Sequence, residues 1–478
     1  MTVSLGARAD ITLDAYFRVA WLGEAVELSA ETLAIMERSR AAFLALLDDP
    51  DIVIYGVTSG YGQHAHLRFT AAERASHARR PSVAPMTSFG EAVPARVARG
   101  FVLARLANFI EGHAAISPSL ALAVAAMLDG RALPCVPALG NGCPGEIQAL
   151  SYLFGPLMES SDLAEKDALS LINGSPCATA LNADAALAAR ARLDLAIEVF
   201  ALSIEAMKAP LGAYDEALDS LWEDPHEAAV LRALRGWLEG AGPERRAYQA
   251  PVSWRILPRV LGQARRALSQ AEDAAAIALR AVSDNPVFIP PDENNPRGRV
   301  FSTGGYHNAK AYPALDTLGA SWADLALLCD RHASKLLDGP VSLLPHNLMA
   351  GDGYIGCLGF SALAFAEQAR RAAARTFLPG SEGGGFAQND VASPTFFAWR
   401  AEAEAGRCLD AGLAILAAIA SQALFVTDRE APPRLAPLLE WIRTAVPPLI
   451  GMRGLGPELA ALAEQFTAKV FAGAPDAP

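Results

Sequence analysis

The chain has 478 residues, 52% hydrophobic and 19% charged, a balance that excludes a disordered polypeptide. Its formal net charge of −12 excludes a polyanion binder built on concentrated positive charge. No apolar run reaches the roughly 20 uncharged residues that cross a bilayer, and the first residues lack the basic-then-apolar pattern of a signal peptide.

The six cysteines are scattered and form neither a CxxC pair nor a zinc-spaced cluster. The expectation is a reduced cytoplasmic protein with no metal, no nucleic-acid partner and no membrane partner.

Residues 1–28 read as irregular. Ser29 has the chemistry of an N-cap for an amphipathic helix over 30–47, where Leu33, Met36, Phe43 and Leu47 recur near helical spacing. The short run Ile52-Val53-Ile54-Tyr55 is β-prone. It feeds a loop, Gly56 to Gly62, whose three glycines free the backbone. A Pro/Gly/Ser-rich break follows at 81–94, and 95–128 is helical in composition except at Ser117-Pro118. Next comes Gly140-Asn141-Gly142-Cys143-Pro144-Gly145-Glu146, a dense break between two apolar stretches.

Beyond Glu146 the pattern is overwhelmingly helical, over 178–207, 227–238, 257–282, 313–337, 360–377 and 401–426. Several of these exceed the usual three turns. They predict a mostly α fold, an elongated bundle of long helices with a smaller N-terminal mixed region. One unit over 1–478 is expected, with an N-terminal part at 1–145 and the bundle at 146–478. The breaks at 282–305 and 378–395 are polar and rich in Gly, Pro and Asn, the kind of loop on which function sits. Helices this apolar also predict burial against further copies of the chain.

Six separated segments together resemble the aromatic amino acid ammonia-lyase and aminomutase family. Tyr55-Gly56-Val57-Thr58-Ser59-Gly60-Tyr61-Gly62 is similar to its Tyr-Gly-x-x-Thr-Gly-Phe-Gly loop, and Leu171-Ile172-Asn173-Gly174-Ser175 to its Leu-x-Asn-Gly-Thr turn. Gln249 to Arg255 resembles Gln-Asp-x-Tyr-Ser-x-Arg, and Ala281 to Pro286 matches closely. Gly304-Gly305-Tyr306-His307 resembles Gly-x-Phe-His, and Gln388-Asn389-Asp390-Val391 resembles Asn-Gln-Asp-Val. Each is weak alone; six in order over about 340 residues are specific.

The resemblance implies an ammonia-lyase-like homotetramer with each site shared between subunits, acting on a small amino-acid-like molecule. It implies catalytic roles for Tyr55 and Tyr306, with Tyr55 as the acid/base, and a carboxylate clamp at Arg255. It places Asn173, Gln249, Asn285 and Asn389 around the substrate. The residue types suit that chemistry. A phenol with a free pKa of about 10 is a base only when deprotonated. A fixed cation such as Arg255 would lower it and grip a carboxylate with both nitrogens.

The family makes its electrophile, methylidene-imidazolone, from an internal Ala-Ser-Gly. The aligned residues here are Cys143, Pro144 and Gly145. Proline has no β-hydroxyl to eliminate and its nitrogen is fully substituted, so this is a degenerate prosthetic-group site and no cofactor is expected. Pro144 also has a structural explanation, the first turn of a helix. Cys143 before a helix N-terminus has the setting of a stabilised thiolate, although a thiolate donates electrons where the lost group accepts them. An inert buried cysteine is the simpler reading. Where histidine lyases carry an active-site histidine this chain has Pro85 or Met86, and Asn389 stands where they carry glutamate. Both departures argue against histidine as substrate. His64, His66 and His307 have no metal-like partners, and Gly383-Gly384-Gly385 is not followed by the Lys-Ser/Thr of a phosphate loop.

The leading expectation is a carbon–nitrogen lyase-like enzyme that uses Tyr-mediated elimination or addition without methylidene-imidazolone. The alternatives are a non-catalytic scaffold that keeps the fold, and a cyclase or hydratase-like enzyme of a biosynthetic pathway.

Overall fold

The long apolar stretches become helices close to their expected bounds. In the computed structural model, which describes residues 2–80, 84–380 and 388–472, they are Pro176–Ala206, Pro225–Trp237, Leu257–Arg280, Ala311–Leu337, Leu358–Ala372 and Thr395–Val426. Asp224 caps one of them by accepting the His226 and Glu227 amides. The Leu358–Ala372 helix stops five residues short of its expected end. There Asp316 takes both the amide and the hydroxyl of Thr376 and draws the chain off the helical path.

Helices Ala311–Leu337 and Thr395–Val426 pack along each other and against Leu358–Ala372 and Pro176–Ala206. Leu318, Trp322, Leu325, Leu413 and Leu416 are fully buried between them. Thr395–Val426 is long and apolar enough to cross a membrane by composition, yet it is mostly buried against its neighbours. Ionic groups interrupt this core; among them, Arg192 pairs with Asp410 at 2.9 Å, and Trp322 donates to Glu402.

The N-terminal part corrects three expectations. Residues 1–28 are not irregular, because Thr2–Leu5 and Ala25–Leu28 pair as parallel strands. Val3, Leu5, Val26 and Leu28 point inward, an alternation too short to stand out in the sequence. Ile52 to Ile54 forms no strand, since Thr58 donates to Ile52 and accepts the Ile54 amide, so a local turn consumes the polar groups. The helical composition of 95–128 breaks at Leu106, well before Ser117-Pro118. Ser39 and Arg40 capture the carbonyls of Gly112 and Ala115 and hold the intervening turns in place.

The N-terminal core gathers Leu5, Trp21, Phe101, Phe109 and Phe154, and it includes Leu181 and Leu187 of the Pro176–Ala206 helix. That helix therefore belongs to both the N-terminal core and the bundle core. A small third cluster of Phe43, Ile54, Val57 and Phe288 seats the loop that follows Tyr55. Gly383, Gly384 and Gly385 lie outside the described residues.

Candidate active site

A cavity of about 510 Å³ opens where the loops of the N-terminal part meet the ends of the bundle helices. Five of the expected residues line it: Tyr55, Tyr306, Asn173, Asn285 and Asn389. Cys143 and Pro144 form part of the same wall.

Tyr55 is held by its own loop, its phenol oxygen accepting the Gly62 amide at 3.0 Å. Gly56 has φ +69°, and a Cβ there would lie 2.6 Å from Leu169, so the turn that presents Tyr55 requires glycine. Burial raises the phenol above its ordinary pKa, opposed by the Gly62 amide and reinforced by Tyr306 and Tyr61. The expected lowering by a fixed cation does not occur within one chain, because Arg255 is not at the cavity. Tyr55 is therefore protonated at neutral pH in this environment.

The wall across residues 140–146 is fixed mainly by polar contacts to backbone. Gly174 donates to the Gly145 carbonyl at 3.1 Å, and Gln148 accepts the Gly142 amide at 3.0 Å. Glu146 is buried and accepts the Cys177 and Ala178 amides at 2.6 and 2.8 Å, at the N-terminus of the Pro176–Ala206 helix. Burial pushes its carboxyl up to about 7 against those amides and Arg105. Pro144 does not open an α-helix as expected: Gly145 and Glu146 both have left-handed backbones, and the helix begins only at Ile147. The thiolate reading of Cys143 also fails. Its sulfur accepts the Gln148 amide, but burial dominates and pushes the thiol up to about 11.

The amides are mutually oriented. Asn173 donates to the Asn285 carbonyl at 3.1 Å, and Asn285 accepts the Thr303 amide at 2.8 Å, which sets the segment bearing Tyr306. Beneath them lies an ionic floor that the motifs did not reveal. Lys166 lines the cavity and gives its three protons to Ala114, Ser170 and Asp284, and Arg105 donates to the Asn173 carbonyl at 2.7 Å. Asp284 was visible in the sequence only as part of a matched motif. Its partners are 118 and 179 residues away, so no local pattern could have joined them.

Gln249 and Arg255 are not brought to the cavity. Both are exposed, and Arg255 donates to the Ala250 carbonyl at 3.0 Å. Their segment is nevertheless rigidly seated. Trp254 is fully buried, stacks on His332 with centroids 3.8 Å apart, and its carbonyl accepts the Tyr214 hydroxyl.

Sequence reasoning missed His77 and Arg80 in the cavity lining. Both come from the helix Ala71–Ala78 and the residues just after it. A signal was present: Thr70 and Glu73 form a capping box that marks the helix start. His77 lies against Tyr61 and Phe69 and donates to the Gly56 carbonyl; burial and nearby Arg80 lower its pKa. An imidazole therefore lines the cavity, from a position other than Pro85 or Met86.

The family model for "Aromatic amino acid lyase" matches residues 11–163 and 158–446. The chain belongs to the aromatic amino acid lyase family. Histidine ammonia-lyase of Symbiobacterium thermophilum is 27% identical over 497 residues, covering 97% of this chain and 96% of that enzyme. In fold, the chain is similar to Pantoea agglomerans phenylalanine aminomutase, with TM-score 0.87 and 20% identity over 98% of this chain and 100% of that one. It is equally similar in fold to ergothionase, an ergothioneine-degrading enzyme from Treponema denticola, with TM-score 0.87 and 17% identity over 99% and 100% of the two chains.

Cys143, Pro144 and Gly145 do not fit the electrophile that the family builds from Ala-Ser-Gly. Pro144 offers neither an amide proton nor a β-hydroxyl to lose. Among the described residues, no group of three His, Cys, Asp or Glu side chains is placed to hold a metal ion.

Proposed function

We propose that this chain is a carbon–nitrogen lyase-like enzyme that eliminates a leaving group from a carboxylate-bearing, amino-acid-like substrate, or adds one in reverse, without methylidene-imidazolone. The observation that supports it is the convergence of Tyr55, Tyr306, Asn173, Asn285 and Asn389 on the cavity whose wall carries Pro144. A structural remnant has no need to keep two phenols and three amides, two of them oriented by hydrogen bonds, around a free volume.

In this reading Tyr55 handles the proton. Burial holds its phenol protonated, so a cation arriving with the substrate or from another copy is what frees it to act as a base. Asn173 and Asn285 hold the wall and the Tyr306 segment. Gln249 and Arg255 serve a site on a neighbouring copy, in a homotetramer whose sites are shared between subunits. Exposed Tyr248, Val252 and Ile256 give their segment an apolar surface suited to such burial. Without an electrophile to activate an amine, the substrate must bring its own advantage. It has a leaving group that departs as a neutral molecule, or a β-proton already acidified by its neighbours.

The mass of the peptide over 132–160 and turnover on a panel of amino-acid-like substrates test this together. The expected result is an unmodified peptide, with acrylate formation that falls about 10²- to 10⁴-fold in Tyr55→Phe. A deficit of two water molecules would show that the prosthetic group forms after all. Ligand binding without turnover, indifferent to Tyr55→Phe, would favour a non-catalytic scaffold.

A further inference from the structure

The charge of the cavity lining differs from that of the protein. The chain carries 52 acidic and 40 basic residues, yet no aspartate or glutamate lines the cavity among the described residues. The cations there are Lys166 and Arg80, with His77 beside them. Lys166 is already committed, its three protons given to Ala114, Ser170 and Asp284, so it offers nothing to a ligand. His77 has a lowered pKa and donates to the Gly56 carbonyl, which leaves it without charge at neutral pH. Arg80 is different. Its backbone amide donates to the His77 carbonyl at 3.2 Å, while its guanidinium has no ion pair or hydrogen bond among the described residues; the residue lines the cavity and is exposed to solvent.

We propose that Arg80 is a second anion-binding group of this cavity, and that the substrate is an amino-acid-like molecule with a second, distal acidic group. The inference rests on the elimination reading above, in which Arg255 takes the carboxylate next to the reacting carbons. A guanidinium fork matches the two oxygens of a carboxylate. Among the described residues the lining provides no carboxylate to compete for it, so the Arg80 charge favours a dianion over a monoanion of the same shape. Other polar groups of the lining, Tyr61, Gln388 and Asn389, offer neutral hydrogen bonds without cancelling that charge.

Calorimetric titration of the full chain with two probes tests it: cinnamate, with one carboxylate, and 4-carboxycinnamate, with two. The expected result is about tenfold tighter binding of the diacid. Arg80→Gln should abolish that preference and leave cinnamate affinity unchanged, while Arg80→Lys keeps part of it. Equal affinity for the two probes in the unsubstituted protein, no binding of either, or a preference that survives Arg80→Gln overturns the proposal. Arg255→Gln separates the two readings. If it weakens both probes alike, both readings stand. If it changes neither while Arg80→Gln erases the preference, the role of Arg80 stands and the clamp assigned to Arg255 falls.

Discussion

The bundle and the cavity wall are both buried, and they are held by different forces. Between Ala311–Leu337 and Thr395–Val426 the interior is mainly leucine, alanine and tryptophan, and its stability scales with apolar area removed from water. Around the cavity the buried groups include Arg105, Glu146, Lys166, Asn173 and Asp284. Their partners are backbone atoms or opposite charges far away in sequence, although Arg105 makes one hydrogen bond, to Asn173, and meets Asp284 only as an ion pair at 3.5 Å. A bundle of this kind tolerates imperfect packing and loses stability in proportion. A wall built from single polar contacts fails at one atom, because a buried charge left alone cannot recover water.

The largest expected effect follows from that asymmetry. Asp284→Asn strands the Lys166 ammonium in the ionic floor and should destabilise the fold by about 3–5 kcal/mol, read as a shift in the urea midpoint, with loss of ligand binding at the cavity. Leu413→Ala, at a fully buried position of Thr395–Val426, should cost about 3 kcal/mol yet leave cavity affinity unchanged when measured below the unfolding transition. If the leucine change impaired binding as much as the aspartate change, the two regions would not be mechanically separate.

A further effect concerns pH. Burial pushes His332 down to about 3, whereas an unfolded imidazole titrates near 6.5. The folded state therefore excludes a proton that the unfolded state binds. Its contribution to stability is complete above about pH 6.5 and declines as pH falls towards about 3, by about 1.4 kcal/mol per pH unit. Denaturation midpoints across that window should slope less in His332→Leu than in the parent. Parallel slopes would mean that the neutral imidazole stacked on Trp254 does not control acid sensitivity.

The smallest effect on stability belongs to Arg255→Gln. The side chain is exposed and, among the described residues, bonds only to the carbonyl of Ala250, so the unfolding free energy of the isolated chain should change by no more than about 0.5 kcal/mol. Turnover should nevertheless fall if the residue serves a neighbouring copy. A large loss of stability would instead assign Arg255 to its own fold.

By itself the sequence determined the helices, the family and most of the cavity. Long Ala/Leu-rich periodic stretches have one good way to bury their apolar faces, so Leu257–Arg280 and Ala311–Leu337 fall near their expected bounds. Motifs such as Asn173-Gly174 and Asp284-Asn285 name residues whose chemistry is local. The tertiary structure decided what depends on distance through space. Sequence composition suggested a strand at Ile52, but Thr58 bonds replace it with a turn. A helix N-terminus left a reactive Cys143 open beside the simpler inert reading, and burial favours the inert one. His77 and Arg80 carry no motif and become part of the site only because their helix packs against the Tyr55 loop. Gln249 and Arg255 mark the converse: their motif is legible, and one chain alone does not bring them to the cavity. Backbone preference and apolar period are written residue by residue, whereas charge, burial and pocket lining arise only when distant segments meet.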